Sequence, residues 1–161
     1  MLMNRHIKPG GWIEFQELHH IPHCDDDTMT PSYPLLQYYT TVTSGVQNLG
    51  VHLDASRSEM LNISSHWFIN VHREILKIPI GTWPKNETLK TVGLYAKVGI
   101  SDGLQAMANG PLCRGMGWSK EQAEVMLVRV RRCLDEGGVH AYLPFHIVYG
   151  QRPLEGTNDD G

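Results

Sequence analysis

The sequence predicts an α/β fold, in which strands alternate along the chain with helices that cover a sheet. Three observations favour this class: an apolar, β-favouring run near the start, a helix with signals at both ends near the close, and a final apolar strand. A chain of 161 residues with 41% hydrophobic and 19% charged residues has the composition of one globular domain.

The first strand is predicted from Trp12 to Leu18, because apolar and polar residues alternate there after a Pro-Gly-Gly turn. A polar loop rich in histidine and aspartate follows and extends to Pro34, which is longer than most connections. Apolar residues then recur at spacings of three and four, which predicts a helix from Leu35 to Leu49. A shorter helix is predicted from Asp54 to about Ile63.

The next strand is predicted from Phe68 to Ile80, and a helix is predicted from Leu89 to Met107. Three glycines interrupt the pattern of this helix, and each costs about 1 kcal/mol of helix propensity relative to alanine. These glycines indicate close packing or a surface that adapts.

The last helix has the clearest boundaries. Ser119 and Gln122 form a capping-box pair at its start, and Gly137 supplies a left-handed stop. A final strand is predicted from His140 to Tyr149, and Pro144 within it indicates an edge strand or a bulge.

Charge and cysteine content exclude several classes of partner. The 14 basic and 17 acidic residues give a net charge of -3, which offers no attraction to a phosphate backbone. No stretch reaches the about 20 apolar residues that span a bilayer, and no signal peptide is apparent. Three widely spaced cysteines suit a reducing compartment. We expect no nucleic acid, no membrane and an intracellular location, cytoplasmic or nuclear.

One run of residues resembles a known family. The segment Ile7-Lys8-Pro9-Gly10-Gly11-Trp12-Ile13-Glu14-Phe15-Gln16-Glu17 is similar to the turn and fifth strand of class I S-adenosylmethionine-dependent methyltransferases. With the order of elements and the closing run from Pro144 to Pro153, residues 7–153 resemble the C-terminal half of the fungal LaeA-like methyltransferases. The resemblance implies the C-terminal half of a doubly wound, Rossmann-like sheet with a helical insertion after its first strand. Residues 154–161 are predicted to be a disordered tail.

The resemblance also implies that S-adenosylmethionine is the methyl donor of the full-length family. That family holds the donor mainly with a glycine-rich turn and acidic residues in its first half, and this sequence has no equivalent. We therefore expect no cofactor-binding residues and weak or no binding of the donor by this chain alone. A parallel first strand without its neighbours would leave an unpaired sheet edge, through which the chain could self-associate.

Candidate site residues follow the first strand, because ligands in open α/β sheets lie at the carboxyl ends of strands. His19 or His20 could act as a general base, and Glu17 could contact the substrate. The resemblance places the helix after this strand over the acceptor pocket, which makes Tyr38 and Tyr39 candidate substrate contacts. Surface histidines without a role, a solvated Glu17 and aromatic packing are the alternatives.

The same loop has the sequence His19-His20-Ile21-Pro22-His23-Cys24, but ligands crowded into six residues rarely close a tetrahedron, so we predict no metal site. The leading functional hypothesis is methyl transfer to a small-molecule or protein acceptor, with this chain on the acceptor side. A non-enzymatic interaction module and a cofactor-independent lyase or isomerase are the alternatives.

Overall fold

The computed structural model describes residues 6–51, 53 and 68–154. The short helix predicted from Asp54 lies outside the described residues, as does the predicted tail after Leu154. Within the described ranges, no helix combines the length and the apolar character needed to cross a membrane.

The described strands and helices follow the predicted order. They are β1 (Trp12–Leu18), α1 (Pro34–Asn48), β2 (Ile69–Pro79), α2 (Glu87–Ala108), α3 (Lys120–Glu136) and β3 (Tyr142–Gln151). A π-helical segment, Asn109–Gly115, follows α2 directly.

The three strands form one sheet in the order β1-β3-β2. β1 is antiparallel to β3, in a register that runs from Trp12 opposite Gln151 to Leu18 opposite Phe145. The parallel neighbours expected for this strand would lie on its other edge, so that expectation stays a prediction. Strand direction was not predictable, because a connection as long as the one from β1 to β3 can return the chain in either direction.

β1 lies at the margin of this sheet, and no strand of the described residues pairs with its other edge. The His19 amide donates to the Pro144 carbonyl at 2.8 Å, and the Gly11 carbonyl accepts from the Arg152 amide at 2.8 Å. In an antiparallel pair the residues that bond to one neighbour alternate along the strand, so the odd-numbered residues of β1 face β3. The even-numbered residues point their backbone groups to the open edge.

Pro144 lies in the central strand of the sheet, so of the two predicted alternatives the edge strand is wrong, and the bulge stays a prediction. Its missing amide would face the β1 side, since its carbonyl accepts from His19. β1 ends at Leu18, one residue before this position. Pro144 therefore removes one hydrogen bond between β1 and β3, just beyond the last residue of β1, which is why a proline is tolerated here.

The contacts divide the chain into two compact units. The first contains β1 and the larger parts of β2 and β3, and the second contains residues 19–53 and 77–144, which include all the described helices. The second unit holds the main hydrophobic core. Its fully buried aliphatic and aromatic side chains come from α1, α2, the π-helical segment and α3: Leu35, Tyr38, Leu104, Leu112, Leu127 and Val130.

Helix ends in the second unit follow local sequence signals. The Ser119 side chain accepts from the Gln122 amide at 3.2 Å, and the Gln122 side chain accepts from the Ser119 amide at 2.9 Å. Gly137 ends α3 with φ of 66°, a conformation that favours glycine. Both predicted boundary signals of this helix are confirmed.

The glycines of α2 have different roles. A Cβ added at Gly93 would collide with the carbonyl oxygen of Gly81, whereas a Cβ at Gly99 would meet nothing within 4 Å. Gly93 therefore permits the segment after β2 to pack directly on the helix backbone, as the sequence predicted for these glycines. No neighbouring atom lies close enough to Gly99 to require a glycine there.

Substituting these two glycines should change stability in opposite directions. We expect Gly93→Ala to lower the free energy of unfolding by about 1–3 kcal/mol, because the helix and the Gly81 segment must separate. Gly99→Ala, the matched control on the same helix, should raise it by about 0.5–1 kcal/mol through helix propensity. Urea denaturation of both variants tests this, and equal effects would contradict the assignment of Gly93 to close packing.

Candidate functional site

The loop after β1 begins at His19 and is fixed to the start of β3 inside the second unit. The His23 amide donates to the Tyr142 carbonyl at 2.8 Å, and the Tyr142 amide donates to the His23 carbonyl at 2.9 Å. The two rings also stack, with centroids 6.0 Å apart. This pairing continues the sheet beyond Leu18 and holds the loop in one register.

Three imidazoles gather in this loop, and we call His19, His20 and His23 the histidine cluster. The His19 ring centroid lies 5.6 Å from that of His20 and 5.5 Å from that of His23. His19 and His20 are half-buried, whereas His23 is exposed. The structure thus brings together the two histidines that the sequence singled out as candidate bases.

His20 is oriented by α1. Its Nε2 atom lies 2.7 Å from the Oγ1 atom of Thr43, and that hydroxyl donates its proton to the Tyr39 carbonyl at 2.8 Å. A hydroxyl has one proton, so when Thr43 donates to the Tyr39 carbonyl, the His20 Nε2 atom is the donor to Thr43. In that tautomer neutral His20 has its basic lone pair on Nδ1, the atom that a general base would use.

Tyr38 and Tyr39 occupy different environments. Tyr39 lies against His20, with ring centroids 6.4 Å apart, and burial raises the pKa of its phenol to about 12. Tyr38 is fully buried and donates its hydroxyl to the Leu104 carbonyl at 2.8 Å. Desolvation raises the pKa of Tyr38 as well. Tyr39 is next to the histidine cluster, whereas Tyr38 belongs to the core, and substrate contact by either remains a prediction.

Glu17 lies on β1 in the first unit, opposite His146 of β3. Its side chain is half-buried, unlike those of Gln16 and Leu18 on either side of it. A fully solvated face is therefore not the environment of this carboxylate. Its predicted role as a substrate contact remains a prediction.

Two adjacent aspartates fix the loop to residues that lie far away in sequence. Asp25 accepts from the ammonium of Lys77 and from the hydroxyl of Tyr142, the latter at 2.8 Å. The Lys77 hydrogen bond, followed by that of Tyr142, lowers the pKa of Asp25. The ammonium also lies 4.9 Å from the centroid of the Tyr142 ring.

Asp26 is the centre of a second network. Its carboxylate accepts from the Cys24 thiol at 3.1 Å and from the Thr28 hydroxyl at 2.8 Å, and it contacts the Nδ1 atom of His140. These hydrogen bonds, with that of Cys24 the largest, lower the pKa of Asp26. Sequence reasoning missed this network because 114 residues separate Asp26 from His140. The local signal was the pair Asp26 and Thr28, a spacing typical of side-chain turns.

The Cys24 thiol donates a hydrogen bond to the Asp26 carboxylate at 3.1 Å. Within the part of the chain that the structure describes, no three residues among histidine, cysteine, aspartate and glutamate are arranged to hold a metal ion.

Comparison with known proteins identifies relatives along nearly the whole chain. A probable methyltransferase, tdiE, of Emericella nidulans is 29% identical over 153 residues, which are 95% of this chain and 48% of the relative. A secondary metabolism regulator of Cochliobolus heterostrophus is 30% identical over 93% of this chain and 50% of its own length. The methyltransferase pytC of Aspergillus terreus is 26% identical over 92% of this chain and 46% of its own length.

The chain thus spans about half the length of these curated relatives. No family model matches it, and no solved structure matches it. These relatives are named as methyltransferases or as regulators of secondary metabolism. The resemblance to the fungal LaeA-like methyltransferases that was predicted from the sequence is confirmed.

Asp26 should make the stability of the loop depend on pH. Because folding lowers its pKa, the ionised carboxylate stabilises the folded chain above about pH 4, and this contribution is lost as the pH falls further. We expect Asp26→Asn to be less stable than the unmodified chain at pH 5, with the difference shrinking toward pH 2. Chemical denaturation at several pH values measures it.

The neighbouring Asp27→Asn variant is the control, since Asp27 has φ of 61°, which asparagine tolerates, and it is exposed. A stability difference for Asp26→Asn that stays constant from pH 5 to pH 2, or an equal effect of Asp27→Asn, would contradict the role assigned to Asp26.

Proposed function

We propose that these 161 residues supply the acceptor side of an S-adenosylmethionine-dependent methyltransferase, and that a donor-binding half outside them completes the enzyme. Among the described residues no strand pairs with the outer edge of β1, and this observation carries the proposal, because an interior strand of a larger sheet needs a neighbour there. The relatives support it, since they bear methyltransferase names and are about twice as long as the aligned region. The acceptor is a small molecule or a protein.

The donor does not fit the described residues. S-adenosylmethionine has a charged amino acid group and a ribose, and open α/β folds bind such cofactors with a glycine-rich turn between a strand and a helix and with an acidic side chain that contacts the ribose. β2 is followed by Gly81 before α2, but the Gly81 amide donates to the Gly93 carbonyl at 2.9 Å and packs on the helix. This turn is closed by the protein itself, so the donor pocket belongs to the other half.

On the acceptor side, His20 is the residue best arranged to remove a proton. Thr43 fixes its ring and tautomer, so that Nδ1 accepts the proton from the acceptor's hydroxyl, amine or thiol. Tyr39 packs against the ring and stays a neutral phenol at physiological pH. His19 is the second candidate, from its position beside His20.

Complementation tests the proposal. We expect the chain alone to show no micromolar binding of S-adenosylmethionine in calorimetric titration. An equimolar mixture with the donor-binding half of the Emericella nidulans relative should bind it, because the second polypeptide pairs with β1 and supplies the pocket. Micromolar binding by the chain alone, or no association with the donor-binding half, would contradict the division of roles.

In the complemented enzyme, His20→Gln should lower the rate of S-adenosylhomocysteine release by about 10²–10⁴-fold with a fungal extract as the source of acceptor. Thr43→Val should lower it less, since the base remains but its tautomer is no longer fixed. His23→Gln is the control, because that side chain is exposed and stacks on Tyr142. A His20→Gln variant as active as the control would exclude His20 as the base.

A second candidate function is a non-enzymatic module that pairs with a second copy through β1. The exposed side chains of Trp12 and Leu18, 53% and 47% accessible, favour it because they flank the same open edge. Light scattering separates the two functions. A stable dimer that persists after the donor-binding half is added would favour the non-enzymatic module. A monomer that forms a complex with the donor-binding half would favour the methyltransferase.

A further inference from the structure

A cavity of about 280 Å³ lies inside the second unit, at a distinct set of residues from the histidine cluster. Its walls come from the residue before α1, from the segment after β2, from α2, and from the end of α3 with the residues that follow. The side chains that line it include Tyr33, Ile80, Trp83, Lys97, Cys133 and Val139. This volume is near the lower end of small-molecule sites, about 300 Å³, which suits a ligand with one ring.

One wall is a rigidly held aromatic ring. The Trp83 indole donates from Nε1 to the Ala141 carbonyl at 3.1 Å, and it stacks on the His140 ring with centroids 4.9 Å apart and 28° between the planes. His140 is fixed in turn by Asp26 and Thr28. The indole is therefore held in one orientation before any ligand binds, and an aromatic ligand would pack on it at little entropic cost.

A second wall carries a positive charge. The Lys97 side chain is 27% exposed, and its ammonium lies 3.1 Å from the Oδ1 atom of Asp135. The Asp135 side chain is 78% exposed, so this pair is of the weak, solvated kind. A carboxylate inside the cavity would contact Lys97, which is less exposed and better desolvated than Asp135. The carboxylate would then share the ammonium group with Asp135 or replace Asp135 as its partner.

A buried hydroxyl also lacks a good acceptor. Tyr33 is 9% exposed, and its hydroxyl interacts with the Cys133 thiol. Within residues 6–51, 53 and 68–154, it makes no hydrogen bond to an oxygen or nitrogen atom. Burial raises the pKa of Tyr33, so the proton is retained at physiological pH. A buried donor whose partner is a thiol, a weak acceptor, is uncommon, and an oxygen atom of a ligand would satisfy it.

We propose that this cavity binds a small aromatic carboxylate with a single ring. The ring packs on Trp83, the carboxylate pairs with Lys97, and the Tyr33 hydroxyl donates to a ligand oxygen. Each wall supplies one requirement of that ligand: a planar apolar surface, a cation and a hydrogen-bond donor. This site is independent of the proposed methyl transfer, and its test does not require the donor-binding half.

The test is a calorimetric titration of the full chain with 4-hydroxybenzoate, with 4-hydroxybenzyl alcohol as the uncharged probe. We expect the carboxylate to bind at least about tenfold more tightly than the alcohol, because a charge-assisted hydrogen bond has about that effect. Lys97→Met should weaken binding by about tenfold or more, and Tyr33→Phe by about fivefold. Lys90→Met is the matched control, since Lys90 pairs with Glu87 on the same helix and does not line the cavity.

Asp135→Asn distinguishes a binding site from a general loss of structure. Removing the competing carboxylate should tighten binding of 4-hydroxybenzoate, a change that an unfolded or loosened variant could not produce. Thermal denaturation of each variant confirms that it is folded. No binding by the unmodified chain, or the same affinity in Lys97→Met and Lys90→Met, would overturn the proposal. Neither result would affect the proposed methyltransferase role, which is measured by donor binding and methyl transfer.

Discussion

The antiparallel ladder between β1 and β3 fixes the position of β1 in the sheet. Its register directs the backbone groups of Ile13, Phe15 and Glu17 to β3, and those of Glu14 and Gln16 to the opposite edge. A row of backbone groups without a strand partner is tolerated in short or protected edges, and otherwise it is a surface for pairing. The same ladder fixes where β1 ends, and hence where the loop with the histidine cluster begins.

Polar contacts with residues distant in sequence hold the loop after β1 in a defined position. Asp25 accepts hydrogen bonds from Lys77, near the end of β2, and from Tyr142, the first residue of β3. Asp26 contacts His140, which lies two residues before β3. His140 then supports Trp83, which forms a wall of the cavity. One network thus positions both the loop proposed to face the acceptor and the aromatic wall proposed to bind a carboxylate, although the two sites use different side chains.

Elements whose signals are local could be predicted from the sequence, and those that depend on distant partners could not. The capping box of Ser119 and Gln122 and the stop at Gly137 lie within the helix they bound, so α3 was predicted with its ends. Pro144 suggested an edge strand, because the sequence does not show that β1 ends just before it. The candidate histidines were found from their position after a strand. The Thr43 hydrogen bond that orients His20, and the burial of Tyr38 in the core, required the packing of α1.

Amide hydrogen exchange along β1 measures which of its two edges is paired. In the isolated chain, the amides of Ile13, Phe15 and Glu17 should exchange slowly, and those of Glu14, Gln16 and Leu18 should exchange quickly, since only the former donate to β3. Adding the donor-binding half of a relative should slow the second set and leave the first unchanged. Uniform protection of all six amides in a monomeric isolated chain would mean that both edges of β1 are already paired, and it would contradict the account.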